Sequence, residues 1–179
     1  MTESAQGDSR MVTGVFADGE SLERAYEVVA ARGYGTGDVN VLMSDEARRR
    51  YFAEDRDVNT ELGRKVEEGG ELGGPMGGAI GTLLPALVAA GVVALPGLGL
   101  VIAGPVAAAL AAAGVAGATL GVIGLMGDWG IPEERARQYE AAIRDGGILL
   151  AVRPRSEEDA RHFQQEWQAI GARRVQSQG

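Results

Sequence analysis

The 179 residues contain no cysteine and a single histidine, His162. The first absence excludes a disulfide framework, a thiolate metal site and a cysteine nucleophile, and it fits a reducing compartment. The second leaves no pair of imidazoles to share a metal, so His162, beside Phe163 on a charged helix, reads as an ordinary surface side chain. Aromatic residues are also scarce, with three Phe, four Tyr and two Trp. That is too few for a conventional core if the 28 glycines were spread evenly, but they gather in the middle of the chain. Positive charge is in deficit: Lys and Arg total 17 against 25 Asp and Glu, a formal charge of −8. Such a surface repels nucleic-acid phosphates, which disfavours nucleic acid as a partner. There is no G-x-x-x-x-G-K-[ST], no H-E-x-x-H and no G-x-S-x-G. No catalytic residue, cofactor or metal is therefore expected, and the chain does not read as an enzyme.

The length fits one domain of the usual 100–200 residues, roughly, with a core of its own. Residues 1–10, MTESAQGDSR, are polar and lack the apolar run of a secretory signal; they predict a disordered tail. Met11-Val-Thr-Gly-Val-Phe-Ala17 reads as a buried strand ending at Asp18-Gly19. Ser21 is the candidate N-cap of a helix with Leu22, Ala25, Tyr26, Val29 and Ala30 on one face, stopped by Gly33. Asp38-Val-Asn-Val-Leu-Met43 predicts a second strand, and Ser44 a short capped helix. Residues 11–53 thus form the first half of an α+β domain, and the charged residues 54–71 a polar connector.

The second half, residues 128–179, returns to amphipathic patterning. Pro132, Glu133 and Glu134 open a helix with Ala136, Tyr139, Ala142 and Ile143 on its buried face; Gly146-Gly147 ends it. Ile148-Leu-Leu-Ala-Val152 is a strand, Ser156-Glu-Glu-Asp159 starts a last helix, and 173–176 predict an edge strand. The order β-α-β, insertion, α-β-α-β predicts a ferredoxin-like sandwich with its helices on one side.

Residues 72–127 carry no charge at all. Pro96-Gly97-Leu98-Gly99 divides them into arms over 76–95 and 105–126, each about 30 Å long if helical, the thickness of a bilayer's hydrocarbon. A Gly/Ala-rich hydrophobic helical hairpin, inserted into the domain but separable from its core, is the expectation. Gly73, Gly77 and Gly81 recur every four residues, as do Gly74 and Gly78; Gly114, Gly117, Gly121 and Gly124 extend the pattern into the second arm. Such faces let helix backbones approach closely, as in glycine-zipper association.

Val15-Phe-Ala-Asp-Gly-Glu-Ser-Leu-Glu-Arg-Ala25, the Gly-rich centre, Gly130-Ile-Pro-Glu-Glu-Arg-Ala136, Tyr139-Glu140 and Gly146-Gly147-Ile-Leu-Leu-Ala-Val152 resemble the bacterial general stress protein family of the heat-induced YflT type. The resemblance implies a stress-linked bacterial protein with a hydrophobic centre, and brings no catalytic residues.

Other motifs have plain readings. Asp55, Asp57, Asn59 and Glu61 alternate like a calcium loop, but Thr60 stands where glycine is needed and Val66 where glutamate is needed. Gly33-Tyr-Gly-Thr-Gly37 follows a helix and precedes a strand, the wrong order for phosphate binding. Arg48-Arg49-Arg50 with Tyr51 and Phe52 reads as a solvated helix face. The leading expectation is a non-enzymatic stress protein, cytoplasmic or on the cytoplasmic face of the inner membrane, whose hairpin associates with lipid and with other copies. The alternatives are a soluble homo-oligomer with hairpins in a shared apolar core, and a small-ligand-binding module with a pocket between sheet and hairpin.

Overall fold

The computed structural model describes residues 11–52, 92–95, 99–112 and 122–177. In chain order the elements are β1 (Val12–Phe16), α1 (Gly19–Ala31), a 3-10 turn (Thr36–Asp38), β2 (Val39–Ser44) and α2 (Asp45–Phe52). Next come β3 (Val92–Leu95), β4 (Leu100–Ala103), α3 (Pro105–Ala112) and α4 (Val122–Asp128). The chain then forms α5 (Glu133–Arg144), β5 (Ile148–Val152), α6 (Glu157–Ile170) and β6 (Arg173–Ser177).

Local chemistry sets most boundaries where the sequence places them. Ser44 Oγ accepts from Ala47 N at 3.0 Å to cap α2, and Ser156 Oγ accepts from Asp159 N at 3.1 Å to cap α6. Gly33 and Gly146 end α1 and α5 in left-handed conformation. The first cap differs from expectation. Asp18, not Ser21, is the N-cap of α1, its carboxylate accepting from Ser21 N at 2.7 Å. An aspartate is as good a cap as a serine, so the helix begins where the strand's turn ends.

Six strands form one sheet in the order β3-β4-β2-β5-β1-β6, every neighbouring pair antiparallel. β1 and β2 both run against β5, so they are parallel to each other with β5 between them. β5 and β6 likewise straddle β1. Each β-α-β unit therefore brackets a strand of the other.

Both sheet faces are buried, which corrects the expectation of helices on one side. Val12, Phe16, Val41, Ile148 and Leu150 point to α1 and α6, where Trp167 lies edge-on to Phe16 at 5.6 Å and donates to Ala25 O at 3.1 Å. Val15, Leu42, Leu149 and Ala151 point to the opposite face, against Trp129, Tyr139 and Ile143. Thr13, also on that face, meets Tyr139 Oη at 2.8 Å, so its buried hydroxyl is satisfied.

The charge-free segment is corrected most. Residues 92–95 and 100–103 are not helical; they form a β-hairpin that continues the sheet from β2, with Val92 opposite Ala103 and Val41 opposite Ala103 on its other side. Val92-Val-Ala-Leu95 and Leu100-Val-Ile-Ala103 are short, β-branched and bounded by Pro and Gly, which favours strands. A continuous apolar run carries no period to tell a buried strand from a buried helix. The second arm is helical where described, as α3 and α4. Leu100, Ile102, Ala107, Leu125 and Met126 belong to the domain's own core, so this part of the segment is not separable from it. Among the described residues, no helix is long and apolar enough to cross a membrane.

Candidate functional site

The end of the sheet where β2 begins and β5 finishes holds a cleft of about 500 Å³. Its position follows from one backbone feature. Gly104, at φ +118°, turns the chain sharply out of β4 and lays the start of α3 over Asn40 of β2. Asn40 sits in an otherwise apolar strand and is 8 % exposed. Its Oδ1 accepts from Val106 N at 3.0 Å, satisfying a helix-terminal donor across 66 residues of chain. Among the described residues its Nδ2 makes no hydrogen bond.

Arg153 and Arg155 enter from the chain leaving β5. Arg155 is fully engaged: it donates to Asp38 Oδ2 at 2.9 Å and Gly33 O at 3.2 Å, and its guanidinium lies 4.2 Å from the centroid of the Tyr34 ring. Arg153 is exposed and makes no ion pair among the described residues. Met11, Val106, Ala109 and Trp129 supply apolar wall. Among the described residues the cleft therefore offers one uncommitted cation and one amide donor, from the largely buried Asn40, against an apolar surface.

Behind Arg155 the rim is fixed by a charged cluster. The buried Tyr34 hydroxyl accepts from Arg155 N at 2.6 Å and donates to Asp159 Oδ2 at 2.7 Å, while Arg32 holds Asp159 Oδ1 at 2.9 Å. Burial pushes the Tyr34 hydroxyl above its ordinary value, keeping it a donor. Asp159 is held below the ordinary 3.8, first by the Tyr34 hydrogen bond and also by Ser156 and Arg32. Its side chain is only 15 % exposed. Asp159→Asn should cost about 1.5–3 kcal/mol at neutral pH, the range for hydrogen bonds to a charged group. The folded carboxyl binds its proton less tightly than the unfolded one, so this stabilisation is complete above 3.8 and is lost as pH falls below it. Urea unfolding at several pH values checks this: the gap between the parent and Asp159→Asn must close on acidification.

The expected association residues are not gathered here. Gly73, Gly74, Gly77, Gly78, Gly81, Gly114, Gly117 and Gly121 lie outside the described residues; Gly124 is exposed on α4. Asp55, Asp57, Asn59 and Glu61 are outside them too. His162 is half-buried on α6, and among the described residues no three His, Asp or Glu side chains come together to hold a metal. Arg48 and Arg49 pair with Asp45 at 3.0 and 2.7 Å, and Arg50 with Glu46 at 3.9 Å, an ordinary charged helix face. Sequence reasoning does not single out Asn40 or Arg153; the available signal is an asparagine inside the run Val39-Asn-Val-Leu-Met43, where that residue is depleted. In comparisons with family models, curated proteins and solved structures, this chain matches none.

Proposed function

We propose that the protein is a small-molecule-binding module without catalytic chemistry, built on a ferredoxin-like core that a β-hairpin from the charge-free segment widens. The sub-order β2-β5-β1-β6, with two interlocked β-α-β units, supports the core assignment. The observation that carries the binding role is the cleft, which lies between the sheet and α3 and has a volume in the usual range for small ligands, about 300–1,000 Å³. Among the described lining residues the one carboxylate, Asp38, is committed to Arg155, and there is no hydroxyl, thiol or imidazole, which favours binding over reaction. A membrane-associated or self-assembling role would rest on charge-free residues 72–91 and 113–121, because 92–95 and 100–103 are committed to the sheet.

Thermal unfolding with a panel of small aromatic acids, amides and amines tests the proposal. At least one class should raise the midpoint, since a ligand that binds only the folded state stabilises it by mass action. Ala109→Trp, on the exposed cleft wall, should fold normally and abolish the shift. An unmoved midpoint with every class removes the binding role.

A further inference from the structure

We infer that the cleft takes a monocarboxylate with an apolar body, its carboxylate held by Arg153 and the Asn40 side-chain amide. This rests on the binding role just proposed. Three features choose the ligand's chemistry. Asn40 is more than nine-tenths buried and lines the cleft, yet among the described residues its Nδ2 donors have no partner. Among the described residues Nδ2 is not one of the side-chain atoms buried without a partner, so it opens to the cleft, where an acceptor on a ligand can take its hydrogen bond. Among the described residues Arg153 supplies the one charge not already matched, because Arg155 and Asp38 neutralise each other at 2.9 Å. A guanidinium presents paired donors suited to a planar carboxylate. Among the described lining residues nothing matches a second negative charge, and the chain's −8 opposes a multiply charged anion. The rest of the volume is walled by Met11, Val106, Ala109 and Trp129, far more apolar surface than a carboxylate alone would cover.

A second depression, of about 400 Å³, carries Arg50, Arg173 and Arg174 beyond the C-terminal end of α5. It does not compete as a site. Arg174 donates to Gln138 at 2.7 Å, Asp145 shares the space, no buried polar side chain lines it among the described residues, and the helix end there is the negative one.

The test uses the full chain, labelled with ¹⁵N, and three probes: phenylacetate, its neutral isostere phenylacetamide, and acetate. The two tryptophans give two indole signals, and that of Trp167, bonded to Ala25 O and fully buried, serves as the internal control. Phenylacetate should shift the Trp129 indole and Asn40 amide signals to saturation and leave Trp167 still. Phenylacetamide and acetate should each bind at least tenfold more weakly. Arg153→Gln removes an exposed side chain that has no ion pair among the described residues, so the fold is kept; it should weaken phenylacetate at least tenfold and change phenylacetamide less than twofold. If phenylacetamide binds as well as phenylacetate, or Arg153→Gln weakens neither, the carboxylate assignment is overturned while the binding role stands. If no probe moves Trp129 or Asn40, while none of the thermal panel shifts the midpoint, both fail together.

Discussion

Excising residues 72–127 and joining the ends with a short flexible linker is expected to yield a chain that no longer unfolds cooperatively. The excised stretch contains β3, β4, α3 and most of α4. Leu100, Ile102, Leu125 and Met126 leave one face of the sheet, and Val101 and Ala103 leave the other. Each fully buried large aliphatic side chain stabilises by about 1.5–3 kcal/mol, so five of them approach the whole stability of a small domain, about 5–15 kcal/mol. The damage extends beyond the missing atoms. β2 becomes an edge, stripped of its pairing from Val41 to Ser44, and Leu42, wholly buried in the intact domain, loses its neighbours Leu100 and Ile102. Circular dichroism during urea titration reads the result directly. A sharp transition with parent-like steepness would mean that the remaining four strands form a complete core, and that the hairpin is an appendage after all.

That outcome reverses what the composition suggests, and the reason is instructive. Residues 148–152 read as a strand and are one, because β-branched and leucine residues are bounded there by Gly147 and Pro154. Ser44 and Ser156 read as helix starts and cap helices, because a side-chain acceptor three residues before a free amide is a local device. Edge strand β6 is legible for the same reason, its exposed Arg173 and Arg174 marking the polar rim. The charge-free segment offers no such local contrast. With no polar residue to mark the solvent side, neither a period of two nor one of 3.6 stands out, and length alone suggested two membrane-spanning arms. What places β3 and β4 in the sheet is a long-range fact, the open edge of β2 that they cover. The same limit hid the cleft. Asn40 lies 66 residues from the helix amide it caps and 113 from Arg153, and no spacing rule connects them.

Gly104 joins these long-range facts, and Gly104→Ala should be among the most damaging single substitutions in the chain. Its φ of +118° is a conformation that L side chains rarely adopt. A Cβ built there would stand 2.5 Å from Val39 O, 3.0 Å from Asn40 Oδ1 and 3.2 Å from Asn40 Cα. Two of those three neighbours are backbone in a strand paired on both sides, so they cannot swing away. Relief requires α3 to lift from the sheet, which would break the Val106 to Asn40 hydrogen bond and open the cleft. Backbone strain and overpacking together put the cost at about 3–5 kcal/mol. Gly99→Ala separates the two contributions. Gly99 also has a positive φ, +64°, but among the described residues nothing lies within 4 Å of a built Cβ, so its substitution should cost only the local strain, about 1–2 kcal/mol. Urea midpoints for the two variants decide the matter. Equal losses would mean that the backbone at residue 104 does not approach β2 this closely; a larger loss at Gly104, accompanied by a shifted Asn40 amide signal, is the result the geometry requires.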